Sequence, residues 1–247
     1  MTLRHGVLLL GLVCAPLAQA DPLSDLTARL KSLQADSEVK GVLDASYEQF
    51  DAKGVADKDK SAHLQLDIDA NGGLSIHLSP TLTQALSAEE ARNATDSDAP
   101  TPQADLLRQM NPTHLQHMLS VADTLLRNMD GGTSKGAKPA SLDGTAVTQL
   151  TLSLPFRAPK KDSDAAKDWQ DTLDIWVDAQ GVPLRYEDKV HGKFCKFFLC
   201  VTVDETHVAT LRVLAGRLVT VAETLEHQQA GLGQDNHTKT VSMLQLQ

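Results

Sequence analysis

The chain has 247 residues, 23 of them basic and 32 acidic, for a formal charge of -9 and a pI near 5.4. That acid excess argues against a nucleic-acid or anionic-membrane partner held by bulk charge. Aromatics at 4% leave little to build a stacking platform for bases or sugars, while 41% hydrophobic and 22% charged residues describe a globular chain with enough length for a sizeable core.

Arg4 and His5 precede an apolar run, Gly6 to Leu17, that ends in Ala18-Gln19-Ala20. A short basic start, such a run and small residues two apart read as a secretory signal cleaved after Ala20, with the bacterial periplasm as destination. The run is too short to span a bilayer. Cys14 would suit a lipoprotein signal, but Val13 stands where a small residue is wanted. Residues 21–247 are then expected to form a single domain.

Asp21-Pro22 caps a first helix, in which Leu23, Leu26, Leu30 and Leu33 share one face. From Gly41 the apolar period becomes two. Leu43, Ala45 and Tyr47 alternate with polar residues, as do Ala62, Leu64, Leu66 and Ile68, and then Leu74, Ile76 and Leu78. Such alternation predicts antiparallel strands with one wet face. Asn71-Gly72-Gly73 fits a three-residue hairpin loop, a register that sets Ile68 opposite Ile76 and Asp67 opposite His77.

Helices interrupt the strands next. Ser79-Pro80 starts a short one reaching about Arg92, and the Pro/Asp/Ser/Thr-rich stretch 93–103 reads as an exposed linker. Asn111-Pro112 then caps a helix whose stripe, Leu115, Met118, Leu119, Ala122, Leu125, Leu126 and Met129, runs unbroken to Gly131-Gly132. A polar loop, 130–141, leads back to strands. These run from Thr148 to Leu154, through a hairpin of 173–178 and 182–186, and on over 196–204, 207–214, 217–226 and 239–246. The three-residue loop of that hairpin would set Trp176 opposite Leu184 and Asp174 opposite Tyr186. About ten strands, one leading helix and inserted helices define an α+β fold: a large curved antiparallel sheet, an unclosed barrel with helices on its concave face.

Motifs of chemistry are few. The chain has no G-x-S-x-G elbow, no Gly-rich phosphate loop and no H-E-x-x-H, so no catalytic residue, metal or cofactor is assigned. His114 and His117, one turn apart, could share a metal, but no third ligand is evident and they read as solvated imidazoles. Cys195 and Cys200 are the pair left after signal cleavage, and an even pair in an oxidising compartment reads as a disulfide. Two cysteines five positions apart lie about 16 Å apart on an extended strand, too far to bond. The disulfide therefore makes the chain turn, projecting Phe194, Lys196, Phe197, Phe198 and Leu199 as a candidate interaction loop for a membrane interface or an apolar partner groove.

The order of elements, with the Gly-led first strand Gly41 to Phe50 and the D-x-x-G-x-P hairpin within Trp176 to Arg185, resembles the outer-membrane lipoprotein carrier (LolA/LolB-like) family. The resemblance implies a sheet wrapped around an apolar cavity that accepts acyl chains under a helical lid. Leu64, Ile76, Leu115, Met118, Leu119 and Trp176 are its candidate lining. The expected function is periplasmic binding or chaperoning of a lipid, acyl chain or lipidated partner, without enzymatic chemistry and without nucleic acid. The alternative is a protein-interaction module of the cell envelope, a stress sensor or assembly factor, with the same fold and a filled core.

Overall fold

The structure, a computed structural model, describes residues 21–70, 73–156, 166–196, 199–231 and 234–247. The expected signal segment, the loop around Lys160, Phe197 and Phe198 lie outside these residues, as does the side chain of Lys196. Asp21 accepts from the Leu23 N–H at 3.2 Å and opens α1, Pro22–Lys31, whose Leu26 and Leu30 are buried. Three strands follow: β1, Val39–Phe50, β2, Ala62–Ala70, and β3, Leu74–Leu78. Four helices come next, α2 Pro80–Asn93, α3 Pro102–Gln109, α4 Pro112–Leu119 and α5 Val121–Met129. The meander that completes the chain is β4 Thr133–Leu142, β5 Thr145–Ser153, β6 Ala166–Val177, β7 Pro183–Lys196, β8 Leu199–Leu214, β9 Arg217–Gly231 and β10 Gln234–Leu246.

Among the described residues all ten strands join one antiparallel sheet, in the order β3-β2-β1-β10-β9-β8-β7-β6-β5-β4. It is curved and open, with β3 and β4 as its edges, so the α+β unclosed-barrel expectation holds. The first and last strands meet in its interior, Gly41 opposite Leu246 and Phe50 opposite His237. Gly41 is needed there, because a Cβ on it would sit 2.7 Å from the Gln245 carbonyl oxygen.

Two apolar clusters fill the helix side of the sheet. One joins Leu43, Leu64, Leu66 and Ile68 of β1 and β2 to Leu82, Leu106, Leu115 and Leu119 of α2–α4. The other joins Leu26 and Leu30 of α1 and Leu125 of α5 to Leu150, Leu173, Ile175 and Leu211 of the meander. The predicted face of α1 is thus the face that packs.

Four local readings change. The stretch 93–103 is not all linker: α3 begins at Pro102, where the buried Glu89 carboxylate accepts the N–H groups of Gln103 and Ala104, each at 2.9 Å. The polar loop 130–141 is mostly β4, an edge strand almost wholly exposed that shows no apolar alternation. The stretches 196–204 and 207–214 belong to one continuous strand from Leu199. The striped helix is two helices, broken at Ser120 (φ −136°, ψ 51°). Buried Arg217 explains that break, since its Nε donates to the Leu119 carbonyl at 2.6 Å and its Nη2 to Ser120 Oγ at 3.0 Å. The carbonyl that would serve the next helical turn is satisfied from the sheet instead.

Candidate functional site

The residues expected to line one cavity separate in space. Leu64, Leu115, Met118 and Leu119 are buried in the first apolar cluster, each 3% exposed or less. They pack sheet to helix. Ile76 is only partly buried and forms a wall of an open groove. Trp176 lies on the opposite face of β6 from buried Leu173, Ile175 and Val177, with the Arg185 guanidinium 5.4 Å from its ring. It therefore does not line the helix side of the sheet. A bulge between Trp176 and Val177 moves the hairpin register by one, so Trp176 faces Arg185 and Asp174 faces Glu187. The first hairpin keeps its expected pairs, Ile68 with Ile76 and Asp67 with His77.

Cys195 and Cys200 stand opposite each other on β7 and β8 and form a disulfide, with Cα atoms 4.1 Å apart. The chain does reverse there, as the bond requires. Phe194 turns into an aromatic cluster, its ring centroid 5.3 Å from Trp169, which in turn meets Phe156 at 4.5 Å. Leu199 is 50% exposed beside the bridge.

The groove holding Ile76 runs between edge strand β3 and helices α2–α4, with a volume of about 590 Å³. Leu78, Leu86, Leu107, Met110 and Pro112 complete its apolar walls, and Arg108 is its one cation. Leu78, at the edge of the sheet, is 42% exposed.

A second space is polar. Between α4–α5 and strands β7–β9 lies a cleft of about 420 Å³, floored by Glu223, His207, Tyr186 and Thr220 and roofed by His114 and Met118. Glu223 is almost completely buried, and each carboxylate oxygen has an imidazole: His114 Nε2 donates to Oε1 at 2.6 Å and His207 Nε2 to Oε2 at 3.2 Å. Burial alone would raise the Glu223 carboxyl, but those two hydrogen bonds outweigh it and hold it at about 2. Burial works against the His114 imidazolium as well, yet the hydrogen bond and charge of Glu223 raise it above the ordinary value. Tyr186 packs edge-on against His207 with centroids 5.2 Å apart; burial, then the Glu223 charge, push its phenol far up, so it stays protonated. Asp188 stands opposite His207, and burial, then its neighbour Asp171, raise its carboxyl to about 7.

His114 is therefore not solvated but clasps α4 to the sheet, while His117 borders the same cleft, its imidazole lowered by burial and then by Arg127. The cluster can hold a carboxylate ionised and a neighbouring carboxyl protonated at one pH. Among the described residues no three His, Cys, Asp or Glu groups are placed to hold a metal. Sequence reading missed Glu223, His207 and Asp188 because their partners come from different elements. One signal was present: on β8, His207 shares the face of buried Ala209 and Leu211, an inward position that a titratable residue occupies only with a partner. Comparison with family models, curated proteins and solved structures finds no match to the chain.

Proposed function

We propose that this chain is a cell-envelope binding protein whose groove between β3 and α2–α4 takes an acyl chain, free or carried by a lipid or lipidated partner. The groove carries the reading. It is concave, apolar and open to solvent, and its volume of about 590 Å³ lies in the usual range for small-molecule sites. An acyl chain asks for apolar wall and no catalytic group, which suits a site bounded by Ile76, Leu78, Leu107 and Met110. The resemblance of the element order to that of lipoprotein carriers and the signal-like first twenty residues support the same reading and a periplasmic address. The Cys195–Cys200 disulfide is compatible with that oxidising compartment, and no described helix is long and apolar enough to cross a membrane.

The packing of Leu64, Leu115 and Leu119 favours a second reading, an envelope interaction module with a filled core. Titration with a fluorescent fatty acid, together with native mass spectrometry of protein purified from the periplasm, separates the two. Acyl binding predicts saturable one-to-one uptake that is lost in Leu78→Glu, and a co-purifying lipid mass. A clean apo mass with no saturable uptake overturns it in favour of the interaction module.

A further inference from the structure

Helix α3 has a polar hollow on its other flank, and that hollow shares a residue with the apolar groove. Its volume is about 820 Å³, and Arg108 belongs to the walls of both spaces. We infer that the ligand of the groove is an amphiphile with an uncharged, hydroxyl-rich head, its chain beside β3 and its head in this hollow. The inference rests on the acyl-chain reading above and names the class of ligand.

The argument is one of charge and hydrogen-bond type. Four carboxamides, Gln49, Gln109, Gln229 and Asn236, line the hollow. Each can both give and take a hydrogen bond, as a polyol requires. Two carboxylates, Asp105 and Asp235, add acceptors for hydroxyl donors, and Arg108 is the single cation among the described lining residues. Arg108 is already engaged with Asp105 at 2.7 Å, which leaves the hollow with a net negative charge. A phosphate or carboxylate head would meet that charge, while a neutral polyol would not. Gln49 and Asn236 are oriented by their own contact at 3.3 Å, and Gln109 by the Thr240 hydroxyl, so three of the four amides are set before a ligand arrives. Tyr47 also lines the hollow but is 7% exposed, so the head would be recognised by these hydrogen bonds rather than by a stacked ring.

The test is calorimetric titration of the mature chain with three amphiphiles of equal chain length, each below its micelle concentration: dodecyl maltoside, dodecyl phosphate and dodecanoate. The maltoside is expected to bind about tenfold tighter than either anion, the worth of one or two neutral hydrogen bonds. Replacing exposed Gln229 and Asn236 together by Leu should remove that preference, read as the ratio of maltoside to dodecanoate affinity. Equal affinity for all three, or a maltoside preference that survives the double variant, overturns the head-group inference while the groove reading stands. No binding of any of the three overturns both. Tighter binding of dodecyl phosphate reverses the sign of the charge argument and refutes the inference directly.

Discussion

Under β3, β2 and β1 the helices meet the sheet through leucines, and one flank of that contact stays open as a groove. Under β7, β8 and β9 the leucine packing of α1 and α5 is joined, below α4, by a carboxylate clamped between two imidazoles. The difference is between interactions that tolerate change and interactions that do not. An apolar contact is non-directional and loses stability in proportion to the area exposed. A buried charge has one good arrangement, and removing a partner leaves an uncompensated group behind. The open half is thus suited to receiving a ligand, and the polar half to holding the helices in place.

The hardest blow to that contrast is Glu223→Ala, which leaves His114 and His207 in the cleft without their carboxylate. It should cost about 3–5 kcal/mol of unfolding free energy, measured by urea titration. A loss below 1 kcal/mol would mean that the cluster does not clasp α4. Arg217→Ala comes next, at about 3 kcal/mol, because the carbonyls of Leu119 and Ser37 lose a charged donor. Amide exchange should then rise at the α4–α5 junction before anywhere else.

Proton dependence sharpens the comparison. Folded Asp188 keeps its proton to about 7, against 3.8 for an ordinary carboxyl. Its contribution is therefore full below 3.8 and is lost as pH rises through 7. His114, raised above 6.5, adds stability that is likewise lost as pH rises through its folded value. Glu223 runs the other way: its contribution is present above 4.5 and lost as pH falls towards 2. Stability should peak in mild acid and fall by on the order of 2 kcal/mol from pH 5 to pH 8. Thermal melts of Asp188→Asn should show a flatter profile over that interval.

Reduction of the Cys195–Cys200 bridge should cost about 2 kcal/mol, since the loop it closes is short, as read from melts with and without reductant. Smallest of all is Leu78→Glu on the open flank. At 42% exposure it should move stability by less than about 1 kcal/mol. Loss of fatty-acid uptake with an unchanged melt is the expected pair of results.

What could be read in advance followed from local geometry. The β2–β3 register was legible because a three-residue loop with glycines admits few pairings, and Ile68 does face Ile76. The disulfide was legible because Cys195 and Cys200 are the even pair beyond the signal-like segment, and their spacing then requires a turn. What stayed hidden depended on distant partners. Nothing near Ser120 announces the helix break, which Arg217 imposes from the far end of the chain. β4 hides because an exposed edge strand needs no apolar face. Trp176 was set one residue out of register because a bulge leaves no mark in a pattern of alternation. The candidate groove was legible in one residue, Ile76, since a wall and a core leucine follow the same periodicity.

The pairing of β1 with β10 has a consequence for the order of assembly. Strands β4 to β9 form by successive hairpins, most of them closing short loops and only β5–β6 joined by a longer one, so they can register as the chain emerges. β1 to β3 pair with one another but join the rest of the sheet only through β10, which is made last. The early strands and helices α2–α4 can pack on one another first, but they stay detached from the meander until the rest is synthesised. Pulse-labelled hydrogen exchange during refolding should find β7–β9 protected before β1 and β2.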